Sequence, residues 1–196
     1  MKLTQSLILL AAGAVTLLAL AGCSQATSDT VKSTAPAVPT SISLSFTKDA
    51  DQFTSDASWA ADSIDLTTGV QTINVYAGSH DYTPSATVDL SKATTFSVDI
   101  KGDVKVNSTS TGNSGWWFSG FRVVLVDKNG NKFDFKDVLD TTDFNNTSYT
   151  TVTRTFTETG AKWEGTTAGD LSKIATVRIY TNYNVGSLTL KNLSIQ

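Results

Sequence analysis

Two stretches of this chain set aromatic rings beside planar polar side chains. Trp116 and Trp117 follow the loop-forming run Gly112-Asn113-Ser114-Gly115 and lead into a segment carrying Arg122. Further on, Arg178, Tyr180 and Asn182 alternate, and Tyr183 follows. These residue types suit the recognition of a hydroxyl-rich ring. A flat aromatic face covers apolar C–H groups, while guanidinium and amide groups bind paired hydroxyls. Removing about 50 Å² of apolar area from water on an exposed Trp contributes roughly 1 kcal/mol, so several contacts are needed, which suits a polymeric ligand. Each group also has a structural alternative. One Trp of the pair caps the core while the other packs on a loop, and the arginines form a cross-strand ladder or a solvated face. Trp163, between Lys162 and Glu164, reads as a cap on one end of the core.

Other chemistries have weaker support. His80, the single histidine, lies in Gly78-Ser79-His80-Asp81-Tyr82-Thr83-Pro84, which reads as a turn-rich loop. A metal site needs more ligands than one His and scattered Asp. The two glutamates, Glu158 and Glu164, stand six residues apart near one loop and do not make a paired-carboxylate glycosidase. Asp127 through Asn131 looks like half of a calcium loop but lacks the terminal bidentate acid, so a hairpin is the better reading. No catalytic residue, metal ligand or cofactor is assigned.

The elements that must position these groups are strands. From Ser41 onward the chain is rich in Thr, Val, Ile and aromatics, punctuated by Gly, Asn and Asp. Alternation puts Phe96, Val98 and Ile100 on one face of 94–101. It puts Val177, Ile179 and Thr181 on one face of 176–182, with Arg178, Tyr180 and Asn182 on the other. Phe121 to Asp127 is apolar on nearly both faces, as in a central strand. Asn129-Gly130 then predicts a tight hairpin in which both turn residues adopt positive φ, with return along Lys132–Phe135. Further strands are expected near 42–46, 70–76, 149–157 and 187–195. Asp89-Leu90-Ser91-Lys92 and Asp170-Leu171-Ser172-Lys173 repeat one turn chemistry at two strand entries. About eight short antiparallel strands imply an all-β fold, an antiparallel β-sandwich of jelly-roll type.

The order Val88-Asp89-Leu90-Ser91, then Phe121-Arg122-Val123-Val124-Leu125-Val126-Asp127-Lys128-Asn129-Gly130, then Trp163 with Gly169-Asp170-Leu171-Ser172-Lys173-Ile174, then Gly186 through Ile195, resembles the jelly-roll (galactose-binding-like) carbohydrate-binding modules. The resemblance covers roughly 42–195. It implies a β-sandwich that binds glycan. Many such modules hold a structural calcium with an acid in the last strand, near Lys191, and lysine does not ligate calcium. Some jelly-roll polysaccharide lyases use His and Tyr, but their Gln-Ile-His-type strand motif is absent. So is the Glu-x-Asp-x-Glu run of jelly-roll glucanases.

The N-terminus carries a different signal. Lys2 is the sole charge of the first 22 residues, and an apolar run follows to Leu20. That is the pattern of an export signal; as a membrane span the run barely reaches the ~17 residues needed, and no positive stop-transfer cluster follows. Leu20-Ala21-Gly22-Cys23 resembles the bacterial lipobox, in which small residues admit the signal peptidase and the cysteine thiol carries lipid. The expected organisation is a signal peptide over 1–22, a lipidated flexible tether over 23–40, rich in Ser, Thr, Ala and Pro, and the sandwich over 41–196. Cys23 is the only cysteine, so once it is lipidated no disulfide is possible. Losing Lys2 moves the formal charge from −3 to −4, without the basic footprint that nucleic acid requires. The sequence thus predicts a lipid-anchored protein of the bacterial envelope that binds a glycan or polysaccharide. Ser24 in place of Asp favours the outer membrane where the host has two. The alternatives are a non-catalytic lipoprotein with an envelope protein partner and, less supported, a polysaccharide lyase or glycosidase.

Overall fold

Period-two alternation becomes two antiparallel sheets. The computed structural model describes residues 36–75, 78–105, 120–140, 146–155, 162–181 and 185–196. Cys23 and the leader lie outside the described residues. Pro36 to Gln196 forms one compact unit. Its strands are β1 (Ile42–Leu44), β2 (Thr54–Ser55), β3 (Ser63–Asp65), β4 (Val70–Ile73), β5 (Ser79–Tyr82), β6 (Thr95–Lys105), β7 (Gly120–Asp127), β8 (Lys132–Asp140), β9 (Thr150–Thr155), β10 (Lys162–Trp163), β11 (Ile174–Tyr180) and β12 (Val185–Ile195). One six-stranded sheet has the order β3-β4-β12-β6-β9, with β1 also on β12. The other has the order β10-β8-β7-β11-β5-β2. This is the all-β, antiparallel sandwich expected from the sequence.

The core lies between the sheets. Phe96, Val98, Ile100, Leu188 and Leu190 come from the β12 sheet, and Val123, Leu125, Val177 and Ile179 from the β7 sheet, all essentially without exposed surface. Burying each such side chain stabilises the fold by roughly 1.5–3 kcal/mol. Strand β12 shows how register follows the apolar pattern. Leu188 and Leu190 are buried at even positions, Leu193 and Ile195 at odd ones. A bulge between Lys191 and Ser194 absorbs the change of phase, with Asn192 in the left-handed region at φ 48°. Asn192 Nδ2 donates to Asp99 Oδ2 on neighbouring β6, at 2.8 Å. Before the bulge β12 pairs with β4, and after it with β1.

The repeated Asp-Leu-Ser turns are one chemistry used twice. Asp89 Oδ1 accepts from Ser91 N and Oγ, and Asp170 Oδ1 from Ser172 N and Oγ. The two turns lie side by side, with Leu90 N donating to Leu171 O.

Two expectations are corrected. The Asp127 hairpin does not use two positive-φ residues, since Gly130 alone has φ +88°. Gly130 N donates to Asp127 O and Asp127 N to Asn131 O, which makes a three-residue loop closed by a glycine bulge. The Asp127 carboxylate holds that loop, accepting from the backbone N–H of Asn129, Asn131 and Asp170 and from Asn131 Nδ2. Burial pushes this carboxyl up, but those bonds outweigh it and hold it below the usual 3.8. The second correction is His80, which lies in strand β5 rather than a loop. Ser-His-Asp-Tyr has no apolar alternation, because the residue it buries is polar.

Candidate functional site

The outer face of the β7 sheet is built by register. Arg178 on β11 lies opposite Val124 on β7 and Asp81 on β5, and Val124 lies opposite Asp134 on β8. One row across four strands therefore reads Asp134, Val124, Arg178, Asp81. In the next row Tyr180 faces Arg122 on one side and Ser79 on the other. Val124 is fully buried although it belongs to this outer face, because the side chains around it close over it.

Those side chains form a continuous ladder. Arg178 grips Asp81 in a fork, Nε to Oδ1 and Nη2 to Oδ2, both at 2.6 Å, and Nη1 donates to Tyr180 Oη at 3.3 Å. The bonds to Asp81, against the cost of partial burial, raise the Arg178 pKa above its ordinary value. Arg122, only 7% exposed, donates from Nε to Asp134 Oδ1 at 3.2 Å, from Nη2 to Asp134 Oδ2, and from Nη2 to Glu164. Burial disfavours its charge, but the bonds to Asp134 and Glu164 prevail and raise its pKa. Lys132 Nζ lies 3.9 Å from Glu164 Oε2 and donates to Tyr180 Oη at 3.4 Å. The guanidinium carbons of Arg122 and Arg178 stand 5.2 and 5.6 Å from the Tyr180 ring centroid. Three cations thus meet three carboxylates around one half-buried phenol. These six groups are rich in donors and acceptors, and their charges balance.

Of the residues singled out from the sequence, Arg122, Arg178 and Tyr180 come together here. Trp116, Trp117, Asn182 and Tyr183 lie outside the described residues. Trp163 packs at the edge of the same sheet, its ring edge-on to Phe133 at 5.2 Å between centroids. It also lies against Gly169, where an added Cβ would come within 2.3 Å of Trp163 Cζ3. One aromatic escaped the sequence reading. Trp59, in a 3₁₀ turn over Ser58–Ala60, is 71% exposed. The segment before it is fastened to β5 by Asp56, whose backbone N–H donates to Ser79 O and whose carboxylate accepts from Gly78 N and Ser79 Oγ. Ser79 is in turn opposite Tyr180. A Trp flanked by Ser and Ala in a run without apolar alternation had no strand face to enter, and that was the available signal.

His80 makes a different arrangement. Its Nδ1 pairs with Asp62 Oδ2 at 2.6 Å and its Nε2 with Thr181 Oγ1 at 3.1 Å. The order Asp-His-Thr is that of a proton relay, but His80 and Thr181 have no exposed surface and the Asp62 side chain is 1% exposed. No solute reaches the hydroxyl, so the line serves to tie β5 to the ends of two neighbouring segments.

A structural calcium does not fit the position that the family resemblance suggests. The Lys191 ammonium lies over the Tyr149 ring. Asp99, opposite it, accepts from Thr151 Oγ1 and Asn192 Nδ2. Among the described residues no three His, Cys, Asp or Glu side chains gather as a metal site.

No family model and no curated protein matches the chain. Solved structures that align with this chain include the family 11 carbohydrate-binding module of the cellulosomal cellulase Lic26A-Cel5E of Clostridium thermocellum, at 16% identity and a TM-score of 0.39 over 60% of this chain and 65% of that one. The family 11 module from Clostridium thermocellum in complex with a β-1,3-1,4-mixed-linked tetrasaccharide aligns at 17% identity and 0.39, over 60% of this chain and 66% of that one. PfGH50B aligns at 13% identity and 0.41, over 69% of this chain and 21% of that one.

Proposed function

We propose that this protein binds a neutral glycan or polysaccharide on the outer face of the β7 sheet, and that it does so as a lipid-anchored protein of the bacterial envelope. The observation that carries the binding reading is the group of Tyr180, Arg122 and Arg178, an aromatic ring with two guanidinium groups 5.2 and 5.6 Å from its centroid on a half-exposed sheet face. The carboxylates of Asp81, Asp134 and Glu164 fix the arginines before any ligand arrives. Little side-chain freedom is then lost on binding, which is the main benefit of preorganisation. The pairing of these three cations with three carboxylates favours a hydroxyl-rich, uncharged ligand over a polyanion. In this reading Asn182 and Tyr183, which follow Tyr180 in sequence, and Trp116 and Trp117, which precede β7, extend the surface. Arg122 belongs to it through its stacking on Tyr180.

The test is affinity electrophoresis on neutral polysaccharides followed by calorimetry. Tyr180→Ala and Trp117→Ala are each expected to weaken binding about tenfold, or ~1.4 kcal/mol, with unchanged circular dichroism. Unchanged binding in both moves the site away from this face. Failure of the wild type to bind any neutral glycan shifts the reading to a protein partner in the envelope. Lipid anchoring, with the outer membrane favoured by Ser24, rests on Leu20-Ala21-Gly22-Cys23. Cys23→Ala should remain an unlipidated, uncleaved precursor, and maturation to the same size with lipid attached would refute the anchor.

A further inference from the structure

The outer face of the β12 sheet carries a second aromatic group that the neutral-glycan reading does not use. Tyr149, half-buried just before β9, has the Lys191 ammonium 4.8 Å from its ring centroid and the Lys101 ammonium at 5.2 Å. Register explains the grouping. Lys191 lies opposite Asp99, and Lys101 opposite Thr189, so the lysines are diagonal neighbours on one face. Among the described residues neither ammonium has a carboxylate within 4.0 Å. The contrast with the β7 sheet is direct, because there both arginines are paired with acids.

Lys101 also lines a depression of about 530 Å³. Its other walls come from Asn146 and Thr147, close before Tyr149, and from Ser187, Thr189 and Asp103. The next row along the strands sets Asp103 opposite Ser187. The face is therefore polarised: at one end two ammonium groups over an aromatic ring, with the Asp99 carboxylate opposite Lys191 bonded to Thr151 Oγ1 and Asn192 Nδ2, and at the other hydroxyls and the Asp103 carboxylate, about 7 Å further along, a step of two residues. That step is comparable to one pyranose ring.

We propose that this face is a second ligand site, for a sugar bearing a carboxylate or sulfate group. The acidic group lies between Lys101 and Lys191, the sugar ring covers Tyr149, and its hydroxyls bond Ser187, Thr189 and Asp103. A neutral sugar would leave both ammonium groups with the Tyr149 ring alone and no ion-pair partner among the described residues, and a bare polyanion without hydroxyls would leave Asp103 facing like charge. The site is independent of the neutral-glycan face, since the two sheets turn their outer faces in opposite directions from a shared core.

The test uses the full chain with tetragalacturonate as the carboxylate probe and a κ-carrageenan tetrasaccharide as the sulfate probe, each titrated by calorimetry at low and high salt. At least one is expected to bind, more weakly as salt rises. Lys101→Gln with Lys191→Gln should lower that affinity at least tenfold, and Tyr149→Ala should lower it severalfold. Tyr180→Ala should leave it unchanged, which separates this site from the neutral-glycan face. Circular dichroism and the melting temperature establish that each variant is folded. The proposal is overturned if neither probe binds, if the lysine variants bind as the wild type does, or if Tyr180→Ala abolishes acidic-sugar binding.

Discussion

Removing Asp134 should be far more damaging than removing Glu164, although both hold the same arginine. Asp134 presents two oxygens to Arg122, and its side chain is 2% exposed. Glu164 contributes one bond to that guanidinium and is 35% exposed. Breaking a buried ion pair from one side costs about 3–5 kcal/mol, mostly because a buried charge is left without its partner. In Asp134→Ala, Arg122 keeps Glu164, so the lower end applies, about 3 kcal/mol. Glu164→Ala leaves the Arg122–Asp134 fork intact and removes a half-exposed partner, a loss of about 0–1 kcal/mol. At about 2–4 °C per kcal/mol for a domain of this size, the melting temperature should fall by about 6–12 °C in the first variant and by no more than about 4 °C in the second. The double variant Arg122→Met with Asp134→Leu should recover most of the loss, since it removes both charges and fills the space. Urea unfolding with matched slopes is the assay. Equal shifts for the two single variants, or a double variant no better than Asp134→Ala, would refute the claim that burial sets the cost.

Gly169→Ala should destabilise the fold by about 1–3 kcal/mol and disturb the indole signal of Trp163 in NMR spectra. The new Cβ would lie 2.3 Å from Trp163 Cζ3 and 2.7 Å from Asp127 Oδ2, and a wild-type melting temperature would show that the ring has room to move. Acid should weaken the protein in a defined window. The hydrogen bond from Lys173 and those from Ser172 bring the Asp170 carboxyl from 3.8 to about 2, so its stabilisation is complete above the unfolded value and lost as pH falls through the folded one. Melting temperatures should decline from about pH 4 toward pH 2, less steeply in Asp170→Asn, and identical acid profiles would count against this linkage.

Much of the fold was legible because a sheet buries one face and alternation is local. Val177 and Ile179 had to face the core, so Arg178 and Tyr180 had to face outward, and the structure places them so. Alternation marked the strands read at 94–101 and 176–182, and an apolar run on both faces marked 121–127; the structure has strands there over Thr95–Lys105, Ile174–Tyr180 and Gly120–Asp127. The short strands β2, β3, β5 and β10 carried no such mark, since two to four residues are too few to show a period. His80 was misplaced for that reason together with another, namely that a buried polar residue breaks the apolar pattern that marks a strand. The break of phase in β12, by contrast, could be read in the positions of Leu188, Leu190, Leu193 and Ile195, since only a bulge sends all four to the core.

Partnership between side chains follows from strand order and register. From the sequence, Arg122 and Arg178 were two arginines on outward faces, equally consistent with ligand contact and with a polar ladder. Their partner carboxylates, Asp81 for Arg178 and Asp134 and Glu164 for Arg122, come from other strands and from the residue after β10, up to 97 residues away in the chain. Lys101, Lys191 and Tyr149 are equally scattered, and only the pairing of β6 with β12 brings the lysines onto one diagonal. Which side chains turn away from the core is written locally, because it depends on residues two apart. Which of them meet, and whether a charge arrives paired or unpaired, depends on strand order and register, and those are settled only when the sheets assemble.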